Sequence, residues 1–272
     1  MTRHNVTAPP TRSYGRIRVA NAGHVSTITL FNPDRRNAIG PQMTNELLWA
    51  LADANDDPTT RVVLLTGHGT SFCAGGDFSQ TTGANDEGPP LPHKGDFADL
   101  LLGMVRAEKP IVAKVNGHAM GGGLGLVAAS TFAVASKGAQ LGTPEINVGL
   151  FPMMIMPLLL RLMPRRRLVQ MMLLGEKISA DQAVELGLLN SCVPPEELDQ
   201  EAKEIVEDLL EKSPLTLKLG LRALADLDDM DMHIDKALPV LRERLAECLA
   251  TDDAREGLMA FLQKRKPHWT GK

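Results

Sequence analysis

Residues 109–126 read KPIVAKVNGHAMGGGLGL, and the fold turns on how this stretch divides. Ile111–Val115 is a short apolar run, rich in β-branched residues, of the kind that forms a buried strand. Gly121–Gly123 follow, and Leu126 to Ala129 read on as helix. Glycines at a strand-to-helix junction let something approach the backbone closely, and the first-turn N–H groups of the helix have no partner within it. With the helix dipole behind them, those donors favour negative charge.

Upstream, Ile17–Val19 and Val25–Phe31 are β-branched runs split by Asn21-Ala22-Gly23, which predicts a hairpin. Pro41 to Leu51 has its apolar residues at helical spacing. Arg61–Thr66 (RVVLLT) alternates too little for a half-exposed strand, so a buried parallel one is expected. Ala74-Gly75-Gly76-Asp77 is a second glycine-rich loop. Residues 80–96, rich in Gly, Pro, Asp and Thr, are expected as a flap near the site, and Phe97–Ala107 as a short helix. Downstream, Thr131–Ala135 reads as a strand, and Met153–Leu162 and Leu168–Leu174 as helices. Ser179 caps a helix to Leu186, and Leu189–Val193 is a last strand. Helices then run from Pro194 to Leu210 and near 214–227, 231–249 and 252–264. Strands and helices alternate first and helices come last, which predicts an α/β core with a C-terminal helical region. Residues 1–14 are expected as a flexible N-terminal arm.

Bulk properties narrow the function. The chain has 272 residues, 43% hydrophobic, enough for one large domain or a domain with a helical appendage. Its formal charge of −4 argues against nucleic acid as a partner. The basic runs Arg165–Arg167 and Lys264–Lys266 read as solvated helix ends. Cys73, Cys192 and Cys248 are odd in number, widely spaced and without a metal-ligand pattern, so reduced thiols in a cytoplasmic protein are expected, and no metal. The first residues lack the apolar core of a signal peptide. Ile146–Leu160 is interrupted by Asn147, Pro152 and Pro157, so no membrane partner is expected.

If RVVLLT and IVAKV lie side by side, the two glycine loops meet at their carboxyl ends, where α/β sheets place ligands. One N–H from each would then converge as an oxyanion hole. That suits a thioester carbonyl whose oxygen turns negative as an enolate forms, and losing one such donor typically costs about 10²–10³ in rate. An enolate also needs a base. Glu145 lies among Leu141, Ile146, Val148 and Leu150, where an oily surrounding raises a carboxyl pKa toward working pH. A mere turn-capping role for Glu145 is an equal alternative. Gly123 to Ala128 also fits G-x-G-x-x-A, with Glu145 22 residues beyond Gly123. Against a dinucleotide site, residues 116–122 separate the fingerprint from its strand, and the next strand ends ten residues before Glu145.

Six segments in series carry a resemblance: NPDRRNA (32–38), FCAGGD (72–77), residues 109–126, GTPEINVGLFP (142–152), ISADQAVELGLLN (178–190) and EGLMAFLQKRK (256–266). Over about residues 14–266 the chain resembles the crotonase superfamily, the enoyl-CoA hydratase/isomerase family. The resemblance implies a crotonase-like ββα spiral core over 15–195 that binds an acyl-CoA thioester, and a helical trimerisation region over 196–272. It implies a homotrimer or dimer of trimers, with coenzyme A as part of the substrate and no separate cofactor. By position, the oxyanion donors are the N–H groups of Gly76 and Gly122, and the catalytic base is Glu145. Coenzyme A would pass Arg36, Ala38, Ala74, Asp77 and Phe78, with Phe261 and Lys264 reaching it from the C-terminal helix, often of a neighbouring subunit. Asp77 is expected to cap the following turn, and His118 to be a filler.

One departure stands out. Hydratases of the family carry a glutamate just after the glycine turn and a second in the GxPE link, whereas this chain has Gly125 and Glu145. A single carboxylate suits removal of a proton from C2 and its return at C4, so double-bond isomerisation is expected. The alternatives are a hydratase or dehydratase with an acid supplied from 80–96, or a member that binds acyl-CoA without turnover. Met153, Met154, Met156, Met163, Met171 and Met172 are either core residues or a pliable wall for an acyl chain.

Overall fold

The computed structural model describes residues 12–77, 90–228 and 233–272. Strands β1 (Ile17–Ala22) and β2 (Val25–Leu30) form the expected antiparallel hairpin, turned at Gly23 with φ +58°. β1 buries only Ile17, as an edge strand does, while β2 buries Ser26, Ile28 and Leu30 in alternation. Helix α1 (Pro41–Asp56) returns the chain to β3 (Val62–Gly67), parallel to β2. β5 (Ile111–Val115), β7 (Phe132–Ser136) and β10 (Ser191–Val193) extend the parallel ladder, giving the order β1-β2-β3-β5-β7-β10.

The central strands lack polar alternation because both their faces are covered. Val63, Leu65, Ile111 and Ala113 join Leu47 of α1, Leu100 of α2 (Phe97–Val105) and Leu126 of α3 (Gly122–Ala129) in the main core. Val62 and Val112 point the other way, onto Val206 and Leu209 of α7 (Leu198–Leu210). RVVLLT and IVAKV are side by side, with Val63 opposite Ile111.

The chain leaves this sheet three times, after β3, β5 and β7, building a second sheet from very short strands. β4 (Ser71–Cys73) follows β3 and β6 (His118–Met120) follows β5; β8 (Gln140–Gly142) and β9 (Lys177–Ser179) complete the order β4-β6-β8-β9. At the breaks the backbones nearly touch: a Cβ on Gly117 would lie 2.0 Å from the Thr70 carbonyl oxygen. Asn116 ties them, accepting from the Gly67 N–H at 3.0 Å and donating to the Gly69 carbonyl at 2.8 Å. None of these short strands is predicted from the sequence.

Helix α4 (Met156–Leu162) starts three residues later than the expected Met153, because Pro157 is tolerated only in a first turn. α5 (Arg165–Leu174) and α6 (Ala180–Glu185) follow, the latter capped by Ser179 as expected. Residues 195–197 form a single 3-10 turn before α7. α8 (Pro214–Asp228), α9 (Ile234–Leu249) and α10 (Asp252–Leu262) end the chain, with Ile234, Leu238, Leu245, Leu249, Phe261 and Leu262 all exposed. Of the expected arm 1–14, residues 1–11 lie outside the described residues, while Arg12 and Tyr14 both bond Asp53 of α1, at 2.8 and 3.2 Å.

Candidate active site

Everything the second sheet carries at its carboxyl end converges on one cavity of about 710 Å³. Ala74–Asp77 follow β4, Gly121 and Gly122 follow β6, and Pro144 and Glu145 follow β8. The remaining wall is mostly apolar: Ile39, Phe97, Val148 and residues 150–155.

Gly76 pairs with Ile39 in an isolated parallel bridge. The bridge uses the Gly75 carbonyl, which accepts from Ile39 N, and the Asp77 N–H, which donates to the Ile39 carbonyl, each at 2.8 Å. Backbone groups alternate along an extended chain, so the N–H of Gly76 faces away from Ile39. Gly122 is the first residue of α3. The first bond into that helix comes from Gly125 N to Gly121 O, so the Gly122 N–H has no partner inside the helix. Two backbone donors on one cavity can hold an oxygen that gains negative charge.

Gly121 places Glu145. It has φ +48°, its N–H donates to the Gly142 carbonyl, and a Cβ there would lie 2.5 Å from Glu145 Oε1. The carboxyl therefore lies against bare backbone. Its Oε2 is buried without a hydrogen-bond partner, and burial pushes the Glu145 pKa above the ordinary glutamate value. Its link, Pro144–Val148, is a 3-10 turn ended by Gly149, and the Glu145 carbonyl accepts from Leu150 N at 3.0 Å. The turn is thus capped by backbone, and the carboxyl is left for the cavity.

The Gly125 position is filled from the far side. A Cβ on Gly125 would lie 2.3 Å from Ile155 Cγ2 and 3.5 Å from Phe97 Cζ. A Cβ on Gly122 would lie 3.1 Å from Ile39 Cγ2 and 3.3 Å from Phe97 Cζ. Ile39, Phe97 and Ile155 close around the glycines, and the sequence reading misses all three. Asp96 and Asp99 do carry a capping-box signature, and they start α2 at Phe97. Nothing local announces that Phe97 leans over Gly122.

Of the other expected site residues, Ala74 and Asp77 line the cavity. Asp77 accepts from Asn32 Nδ2 at 3.3 Å. Arg36 and Ala38 adjoin it through backbone: the Arg36 carbonyl accepts from Ala74 N, and the Ala38 carbonyl from Asn32 Nδ2. Phe261 and Lys264 are exposed on and just after α10 and do not line the cavity. Phe78 lies outside the described residues, as does the expected flap up to residue 89; residues 90–96 run without regular secondary structure. His118 faces outward, its Nδ1 accepting from Gln140 N at 3.0 Å. The methionines divide: Met163, Met171 and Met172 are core, whereas Met153 and Met154 line the cavity and are 60% and 51% exposed. Cys73 is fully buried beneath Gly123, with its thiol pushed up to about 12, which leaves it inert. Among the described residues no cluster of His, Cys, Asp and Glu is arranged to hold a metal ion, and no helix is long and apolar enough to cross a membrane.

The sequence profile described as enoyl-CoA hydratase/isomerase matches residues 20–272. The crotonyl-CoA hydratase of Syntrophomonas wolfei is 32% identical over 268 residues, 96% of this chain and 100% of that one. The short-chain-enoyl-CoA hydratase of Clostridium acetobutylicum is 33% identical over 90% of this chain and 93% of that one. Among solved structures, an enoyl-CoA hydratase from Bacillus anthracis superposes with a TM-score of 0.85 at 29% identity, covering 94% of this chain and 100% of that one.

Proposed function

The chain belongs to the enoyl-CoA hydratase/isomerase family, and from that premise we propose that its cavity binds an acyl-CoA thioester and stabilises the enolate. The carbonyl oxygen accepts from the N–H groups of Gly76 and Gly122 as it gains charge. Glu145 serves the proton at C2, delivering it to the enolate carbon in hydration or removing it for return at C4 in isomerisation. The observation that carries this reading is the Glu145 carboxyl, lying against Gly121 in an apolar cavity with one oxygen unpartnered. A carboxyl so placed has its pKa raised toward the pH at which a base works best.

Two reactions use this core. The relatives' names favour hydration of a 2-enoyl-CoA, and this reading takes precedence over the isomerisation expected from Gly125. Hydration needs a second acid–base group; Asp77, His93 and Asp96 line the same cavity. The Asp96 carboxylate is already occupied by the N–H groups of Ala98 and Asp99, and Asp77 accepts from Asn32 Nδ2, so His93 is the candidate this reading favours. Isomerisation keeps one specific support: the Ile155 methyl takes the space where a side chain at 125 would begin. The exposed apolar side chains of α9 and α10 support assembly into a trimer or a dimer of trimers, which light scattering would test.

The deciding experiment offers 2-enoyl-CoA and 3-enoyl-CoA separately and follows the conjugated thioester absorbance. Its loss from the 2-enoyl ester establishes hydration; its appearance from the 3-enoyl ester, with an inert 2-enoyl ester, establishes isomerisation. If neither reacts and solvent deuterium fails to enter at C2, the enolate reading falls.

A further inference from the structure

α1 does more than fill the core. Its inner face, Met43, Leu47, Ala50 and Ala54, is buried. Its outer face carries Asn45, Trp49 and Asp53 at a spacing of four, which stacks them along one side of the helix. An outward face of this kind is ordinarily left to solvent. Here it holds the irregular segment that leads to Phe97. Asn45 Oδ1 accepts from the Lys94 N–H at 2.7 Å, and Asn45 Nδ2 donates to the Pro92 carbonyl at 3.0 Å. Trp49 Nε1 donates to the same carbonyl at 2.8 Å, and the Lys94 ammonium lies 4.1 Å from the centre of the Trp49 ring. Residues 90–96 have no ladder of their own, so these bonds fix where that backbone runs.

Three residues beyond Lys94, Phe97 lies over the backbone of Gly122 and Gly125. His93, Gly95 and Asp96, between the anchor and Phe97, line the cavity.

We propose that Asn45 and Trp49 are positioning residues that fix segment 91–97 as a wall of the cavity and thereby set Phe97 over the Gly122 backbone. The inference rests on the acyl-thioester reading. The wall meets the reacting end of the substrate, so these residues govern affinity for the acyl part of the thioester while leaving free coenzyme A unaffected.

The test uses Asn45→Ala, Trp49→Phe and the double variant of the full chain, titrated calorimetrically with butyryl-CoA, octanoyl-CoA and free coenzyme A. Trp49→Phe keeps an aromatic ring for Lys94 and removes the N–H donor. Each single variant is expected to weaken acyl-CoA binding about threefold and the double variant about tenfold, as loss of exposed hydrogen bonds worth about 1 kcal/mol or less each implies. Free coenzyme A should bind all of them as it binds the wild type, and melting temperatures should stay within about 2 °C. In a Trp269→Phe background, Trp49 emission should shift on adding octanoyl-CoA and stay put with coenzyme A. Variants that bind both acyl-CoAs like the wild type overturn the inference. So does parallel loss of acyl-CoA and coenzyme A together with a lowered melting temperature, the mark of a merely structural role. A wild type that binds no acyl-CoA overturns the underlying reading, and the inference goes with it.

Discussion

The two sheets share a chain and little else. In the larger one, the central strands β3 and β5 bury residues on both faces, Val63, Leu65 and Ile111 against α1–α3, and Val62 and Val112 against α7. In the smaller one, each strand is three residues long, and three of the four lead into a glycine or a GTPE link at the cavity. Burying both faces of a strand makes a platform that tolerates few changes of volume. A three-residue strand buries little, but it can aim a backbone N–H. Stability and chemistry are thus lodged in different sheets, joined by the Asn116 clamp.

Exchanging residues in each sheet's territory tests this division. Glu145→Gln should lower turnover by about 10²–10⁴, the usual worth of a positioned acid–base group, with no loss of melting temperature. Gly121→Ala should follow, at roughly 10² in rate, because the new Cβ would lie 2.5 Å from Glu145 Oε1 and push the carboxyl aside. Ile111→Ala should do the reverse. It should lower stability by about 2–5 kcal/mol in denaturant melts while leaving the rate per folded molecule near wild type. An Ile111→Ala protein that folds well but turns over poorly would erase the distinction between the sheets.

The same contrast explains what could be read from sequence. The strands of the larger sheet are five or six residues long except for β10, and their β-branched or apolar runs announce them; their ends miss by at most two residues, except β1, which runs three residues past the expected Val19. β4, β6, β8 and β9 are too short for any alternation to register, so they read as loop. Gly76, Gly122, Ala74, Asp77 and Glu145 nevertheless come together at one cavity, because glycine clusters and a lone carboxyl in an oily link are local signals. Ile39, Phe97 and Ile155 are not local signals. Each reaches the glycines from another element: Ile39 through its bridge to Gly76, Phe97 from the start of α2, and Ile155 from the segment before α4. The expected helix from Met153 failed for a simpler reason, since Pro157 had to fall in a first turn.

A smaller effect is expected at Gly125, where a core contact borders the site. Gly125→Ala drives its Cβ to 2.3 Å from Ile155 Cγ2. The obstacle is a side-chain methyl, so Ile155 can shift, and a cost of about 1–3 kcal/mol is expected from overpacking. Ile155→Ala alone should cost a similar amount through the cavity it opens. The double variant should recover much of the loss, giving a coupling energy in a double-mutant cycle; additive losses would mean that the two residues do not share one space.

The smallest effect is the dependence on pH, and here chemistry and stability pull against each other at one group. Burial raises the Glu145 pKa above its ordinary value, so the folded protein prefers the neutral carboxyl. The base must be ionised, so kcat/KM should fall on the acid side through a pKa higher than that of an exposed glutamate. Stability runs in the opposite sense. With the folded pKa above the unfolded one, the contribution of Glu145 is fully present below the ordinary carboxylate range and is lost as pH rises through the folded value. Glutamine mimics the neutral form at every pH. Calorimetric melts of wild type and Glu145→Gln should therefore coincide near the acid end and separate toward neutrality, with Glu145→Gln the more stable. Parallel curves across the whole range would mean that water, and not the apolar wall of Val148, Leu150 and Phe151, surrounds the carboxyl.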